Sequence, residues 1–379
     1  MKASPDQPLL PENAETSSFI PVYRPDLSGN ERKYVLEAID SSWISSQGAF
    51  LQRFEKMFSD YVGIPYVTSV CNGTVALHLA LHCLGLQPGD EVIVPSFTYI
   101  ASVNTVAQTG ATPVFADISI DDWLLDPDDV LDRITPRTKA IMPVHLYGSA
   151  CDMDRLTAIA NGYRLSLVED CAEALGTTWR GQHVGTFGQV ATWSFFGNKT
   201  VTTGEGGMVA THDPDLHRRL KITKGQGQDP NRRYWHSLRG FNYRMTNIAA
   251  AVGAAQLERV NFALERKRRI AAAYRERLAD IPVTFQKPGP EVASSEWMVS
   301  VLLPAGVDRD KVMHEMASAG VDTRPVFYCA HHMPPHRRPG LELPVSEDIA
   351  SRGISLPSFP TLVDEEIERV CAALVASLE

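Results

Sequence analysis

From Tyr66 to Ala210 short, apolar, β-prone runs alternate with longer stretches of helical character. Glu91–Pro95 reads as a strand. Ala101–Thr109 follows as a helix closed by Gly110, a residue suited to the left-handed position after a helix. Thr112–Ala116 is again a strand, and an Asp-rich stretch runs from Asp117 to Asp129. Lys139–Val144 and Leu165–Val168 read as further strands, with a helix over Asp152–Ala160 between them. Such alternation implies right-handed crossovers and a mainly parallel sheet covered on both faces. Composition shifts after Thr246. Ile248–Asn261 is Ala-rich and helical, and Leu264–Leu278 carries Arg and Glu along one side, as a long solvated helix does. The remainder, through Val299–Leu303 and Val321–Phe327, reads as a smaller α+β lobe.

In an open parallel sheet, ligands gather beyond the carboxyl ends of the strands, so strand ends are where chemistry is sought. The run Ala191-Thr192-Trp193-Ser194-Phe195-Phe196 ends in Gly197-Asn198-Lys199, ahead of the glycine-rich turn Gly204-Glu205-Gly206-Gly207. A lysine at the rim of a core can shed its proton and attack a carbonyl cofactor; a surface lysine at a turn is the plain alternative. Leu165-Ser166-Leu167-Val168-Glu169-Asp170 places a carboxylate at another strand end. Asp170 suits the ring nitrogen of pyridoxal phosphate, which needs such a partner and a phosphate anchor; it equally suits a helix N-cap. Val70-Cys71-Asn72-Gly73-Thr74 opens an apolar helix whose first N–H groups and Thr hydroxyl form a phosphate site, although Gly-Thr also serves as an ordinary cap. Ser194 adds a hydroxyl, and Phe97 and Tyr99 offer aromatic rings at the end of Glu91–Pro95.

In this order the segments resemble the pyridoxal-phosphate-dependent sugar-nucleotide aminotransferases of the DegT/StrS type. The likeness runs from Ile20-Pro21-Val22-Tyr23 to Gly353-Ile354-Ser355-Leu356-Pro357-Ser358. It implies an α/β fold of the aspartate-aminotransferase type (fold type I). A large cofactor-binding domain with a mainly parallel sheet is expected over residues 19–255, and a smaller α+β domain over 256–379. By resemblance Lys199 is the covalent cofactor lysine, Asp170 the partner of the ring nitrogen, and Tyr99 the residue stacked on the ring. Gly73, Thr74 and Ser194 hold the phosphate, and Glu173 lies near the ring hydroxyl. Asn242 reaches the phosphate of a neighbouring subunit, which implies a homodimer with shared sites. Trp43-Ile44-Ser45-Ser46, Met142-Pro143-Val144-His145-Leu146-Tyr147-Gly148 and Gly240-Phe241-Asn242-Tyr243-Arg244-Met245 are most similar to members that make GDP-perosamine. The implied reaction moves an amino group from L-glutamate to GDP-4-keto-6-deoxymannose, with Ser45, Tyr328 and His331 as sugar contacts. A UDP- or dTDP-linked sugar, or transfer at C3, is the alternative. Cys171 stands where Ala is usual, and Cys329-Ala330-His331 replaces a Pro-containing stretch, which bears on sugar choice.

Composition narrows the picture further. With 36 basic and 45 acidic residues the net charge is −9, which argues against a general nucleic-acid binder despite Arg232-Arg233-Tyr234-Trp235-His236. The six cysteines form no CxxC pair and no cluster with histidine, so neither a metal nor a disulfide framework is expected, and a reducing cytoplasm fits. No apolar run approaches the length needed to span a bilayer. Residues 1–18, polar and Pro-bearing, read as a flexible lead-in without the apolar core of a secretion signal. A nucleotide-dependent oxidoreductase would require G-x-G-x-x-G after a strand, and the chain has none. Related sugar dehydratases carry His where Lys199 stands, and a non-enzymatic cofactor-binding regulator is disfavoured by the intact Lys199–Asp170 pair.

Overall fold

A computed structural model describes residues 19–379, so the expected lead-in over 1–18 lies outside the described residues. Seven short apolar segments form the central sheet because almost every side chain along them is buried, on both faces, as parallel strands require. They are β1 (Tyr66–Val70), β2 (Glu91–Pro95), β3 (Thr112–Ala116), β4 (Thr138–Ile141), β5 (Ser166–Asp170), β6 (Val190–Ser194) and β7 (Gly207–Thr211). Their spatial order is β1-β7-β6-β5-β4-β2-β3. Strands β3, β2, β4, β5 and β6 run parallel, and β7 lies antiparallel to both β1 and β6. The fourth strand stops earlier than Lys139–Val144 implied, one residue short of Met142-Pro143, where proline offers no N–H to a ladder.

Two helices ahead of β1 went unread in the hydrophobic pattern. In Ala49–Val62 the buried residues are Phe50, Phe54, Phe58 and Val62, a stripe at every fourth position that faces the core. Phe54 and Phe58 meet Trp193 and Phe195 edge-on at centroid distances of 5.1–5.7 Å, which anchors the helix to the strand leading to Lys199. The Ala-rich segment expected as one helix over Ile248–Asn261 is instead broken between Asn247–Leu257 and Val260–Arg277. At the break, Glu258 is drawn to Arg53 (2.7 Å) and Tyr34 (2.6 Å), while Arg259 pairs with Asp26 at 3.1 Å.

The smaller lobe holds a four-stranded antiparallel sheet in the order Thr284–Phe285, Val299–Leu302, Gly353–Leu356, Arg324–Pro325. Two hydrophobic cores result. One surrounds the central sheet and includes Trp297, Val326 and Cys329 from the C-terminal part; the other gathers Ile270 to Leu374 and also takes Ile20. Ile20 is tied in by its N–H, which donates to the Gly320 carbonyl at 2.8 Å. Each core therefore draws on residues from both sides of position 255. No helix among the described residues is long and apolar enough to cross a membrane.

One close approach fixes the seam between the lobes. Gly148 has φ +95°, and a Cβ there would lie 2.5 Å from the backbone nitrogen of Trp297. Gly148→Ala is expected to lower stability by about 2–4 kcal/mol, combining left-handed strain with a backbone clash. Denaturant unfolding measures this, and a loss within experimental error would show that the seam yields.

Candidate active site

Four carboxyl strand ends deliver the site. Beyond β1, Gly73 opens the helix Gly73–Leu84, whose start is capped by Asn72: its side chain accepts the Val75 N–H at 2.9 Å. A Cβ on Gly73 would stand 2.7 Å from Cβ and 2.9 Å from Oγ of Ser194, so only glycine lets the helix start meet the end of β6. Beyond β2, Tyr99 precedes the helix Ile100–Gln108 with its ring 58% exposed.

At the end of β5 the carboxylate of Asp170 is buried and held at both oxygens. Ser102 Oγ donates to Oδ2 at 2.8 Å, and the Ala172 N–H donates to Oδ1 at 3.1 Å. Burial pushes the Asp170 carboxyl above its usual range, against the opposing pull of those two donors and of Lys199 and His145. Glu173 is likewise raised by burial, with the charge of Lys199 and the Tyr147 N–H working the other way. That N–H donates to Glu173 Oε2 at 3.0 Å.

Lys199 lies past β6, its Nζ 3.3 Å from Glu173 Oε1 and 3.9 Å from the centroid of the Trp297 ring. Its backbone is gripped by two side chains distant in sequence. Tyr23 Oη donates to the Lys199 carbonyl at 2.8 Å, and Trp297 Nε1 donates to the Asn198 carbonyl at 2.9 Å. Tyr147, with φ +57°, inserts its ring parallel to both Trp297 and Phe327, at 6.3 and 5.5 Å between centroids. A bulky residue in that backbone region is strained, and it persists here because both ring faces and the hydroxyl are engaged. The hydroxyl accepts the Phe327 N–H at 3.2 Å.

Lys199, Asp170, Glu173, Gly73, Thr74, Tyr99 and Ser194 thus line one cavity of about 500 Å³. Ser102, Trp297 and Phe327 share it and were not anticipated. Ser102 had a signal, since it lies three residues after Tyr99 on the same helical face. Trp297 had none: it comes from a distant, aperiodic segment. Four expected residues lie outside the cavity lining. Asn242 is exposed on the loop after Gly240, and Ser45 is exposed with its carbonyl accepting the Asn247 N–H at 2.6 Å. Tyr328 is exposed, its hydroxyl accepting Arg309 Nη2 at 3.0 Å. His331 is 1% exposed, with Nδ1 2.6 Å from Ser96 Oγ and Nε2 3.0 Å from Glu347 Oε1. With both ring nitrogens engaged, His331 ties the end of β2 to the helix Pro344–Arg352.

The cavity fits pyridoxal phosphate. Gly73, Thr74 and Ser194 would hold its phosphate where a Cβ leaves no room. In the wall, the buried Oγ1 of Thr192 and Oδ1 of Asn198 have no hydrogen-bond partner among the described residues, so polar ligand atoms can be satisfied there. A protonated ring nitrogen beside Asp170 would offset the burial of that carboxylate. Gly73→Ala is expected to weaken pyridoxal phosphate binding at least about tenfold, roughly 1.4 kcal/mol. Spectrophotometric titration of the apo protein measures it, and unchanged affinity would place the phosphate elsewhere.

The sequence pattern of the DegT/DnrJ/EryC1/StrS aminotransferase family matches residues 25–375. A GDP-perosamine synthase of Escherichia coli O157:H7 is 48% identical over 356 residues, which cover 94% of this chain and 98% of that protein. A GDP-perosamine synthase of Caulobacter vibrioides is 49% identical over 360 residues, covering 94% and 97%. Among solved structures, the aminotransferase TlmJ from Streptoalloteichus hindustanus superimposes with a TM-score of 0.91 at 30% identity, over 95% of this chain and 99% of that one. The lysine–carboxylate cavity at the strand ends and the match over nearly all of the described chain agree: the protein belongs to the DegT/DnrJ/EryC1/StrS aminotransferase family and is a pyridoxal-phosphate-dependent transaminase.

Proposed function

We propose that the enzyme moves the amino group of L-glutamate to C4 of GDP-4-keto-6-deoxymannose, giving GDP-perosamine. The observation that carries this reading is the 48–49% identity with two GDP-perosamine synthases, over 94% of the chain in each case. The six free cysteines suit the reducing cytoplasm in which we place the reaction.

Bound in the cavity, pyridoxal phosphate supplies an electron sink and carries the amino group between donor and acceptor. The protein does the rest through position and charge. Lys199 Nζ takes the proton from Cα of the donor and, in the second half-reaction, delivers one to C4 of the sugar. Glu173, 3.3 Å away, steadies the ammonium form of Lys199 and fixes where its protons point. Asp170, fixed by Ser102 and the Ala172 N–H, presents a buried negative charge that needs no rearrangement during the reaction. The Trp297 ring covers one side of Nζ and keeps water from it.

The partner we propose is a second copy of this chain. Asn242 is exposed and absent from its own cavity lining, and Trp43, Ile44, Tyr99, Phe196 and Trp235 are each about half exposed, unusual for large apolar side chains on a monomer. In a dimer with shared sites, mixing Lys199→Ala chains with Asn242→Ala chains leaves one fully native site in each mixed pair. Activity should therefore return on mixing. Two inactive chains that stay inactive together, or a monomer by light scattering, would overturn this arrangement.

The substrate is tested with the enzyme loaded with its aminated cofactor. Offered a panel of keto-sugar nucleotides, the enzyme should regain its pyridoxal absorbance fastest with GDP-4-keto-6-deoxymannose. Prompt recovery with a UDP- or dTDP-keto sugar and none with the GDP compound would remove the perosamine reading and leave the transaminase.

A further inference from the structure

The helix Val260–Arg277 is studded with basic residues, and one of them, Lys267, points inward and is 0% exposed. A buried ammonium is costly unless each of its three N–H groups finds a partner. Here two are met by backbone carbonyls, and an aromatic ring lies within cation–π range. Nζ donates to the Trp297 carbonyl at 2.8 Å and to the Ser358 carbonyl at 3.1 Å, and it stands 5.0 Å from the centroid of the Tyr23 ring. Burial draws the Lys267 ammonium down to about 7, with the charge of Glu296 pulling the other way. Among the described residues no carboxylate forms a salt bridge with it, so this is an arrangement that holds main chain rather than an ion pair.

What it holds is specific. Trp297 and Tyr23 are the two side chains that grip the Asn198–Lys199 backbone, one through the Asn198 carbonyl and the other through the Lys199 carbonyl. Trp297 also carries the ring beneath Lys199 Nζ. The third partner, the Ser358 segment, is in turn joined to the segment that carries Tyr23, since the Ser358 N–H donates to the Val22 carbonyl at 3.0 Å. One amine thus fixes, relative to one another, the segments that clamp the active-site lysine.

We infer that Lys267 is a positioning residue for Lys199: it seats Trp297 and Tyr23 against the Asn198–Lys199 turn and so sets the reach of the reactive amine. This rests on the reading of Lys199 as the lysine that carries the cofactor.

The test measures capture rather than turnover. Apo protein is mixed with pyridoxal phosphate, quenched with borohydride at timed intervals, and the adduct on Lys199 is quantified by peptide mapping. Lys267→Met removes the donors while keeping the stem. It should slow capture at Lys199 by about tenfold or more, as loss of a fixed reacting geometry does, with little change in unfolding temperature. Tyr23→Phe, which deletes only the hydroxyl, should also slow capture. The double variant should be no slower than the slower single one, because both act through the same clamp. Lys267→Gln, which keeps an amide NH2 as donor on a shorter side chain, should fall between wild type and Met and serves if the Met variant does not fold. Wild-type capture rates in either folded Lys267 variant, or effects that multiply in the double variant, would overturn the inference. An adduct that maps off Lys199 in the wild-type protein would instead overturn the active-site assignment on which it rests.

Discussion

Two buried carboxylates share one ammonium in this cavity, and the rest of the site is arranged around that imbalance. Glu173 has Lys199 within hydrogen-bond reach, whereas Asp170 is held only by a hydroxyl and a backbone N–H, and burial pushes both carboxyls upward. A low-dielectric pocket with an excess of negative charge on its floor attracts a ligand that brings positive charge to Asp170 and a reactive carbon to Lys199. A protonated pyridine bearing an aldehyde answers both demands. The start of the helix Gly73–Leu84, in the lining of the same cavity, would receive its phosphate, so the anionic and cationic ends of the cofactor would meet groups of opposite character.

The sheet makes this possible by bringing β1, β2, β5 and β6 to one edge, and much of that was legible in the chain. Short apolar runs ending in Gly73, Tyr99, Asp170 and Lys199 mark strand ends with no structure in view, because a parallel strand buried on both faces must be apolar throughout. The pattern could not show that β7 runs backwards between β1 and β6, since an apolar pentapeptide reads the same in either direction. Nor could it reveal Trp297 and Tyr23. Their roles come from contacts across the whole length of the chain, and periodicity reports only which face of an element is buried, not what lies against it. The contacts of His331, held at both ring nitrogens within the fold, are likewise of a kind that no pattern in the sequence displays.

The two lobes are stitched rather than merely apposed. Ile20 joins the second core and bonds Gly320, Val22 takes the Ser358 N–H, and Tyr23, next in line, touches Lys199. A few residues at the start of the described chain therefore lie on both the small-lobe core and the active-site turn. Tyr23 and Trp297 both donate to the Asn198–Lys199 backbone, so the placement of that turn depends on both segments at once.

The contact between Gly73 and Ser194 has a consequence of another kind. The Ser194 side chain occupies the space that a Cβ at position 73 would need, so the site holds a single hydroxymethyl group between the start of a helix and the end of a strand. Exchanging them, serine at 73 and glycine at 194, would keep volume and hydroxyl count constant while moving the oxygen across the cavity. Position 73 can therefore gain a side chain only if position 194 gives one up, so the choice of residue at the start of the helix is made on another element of the fold.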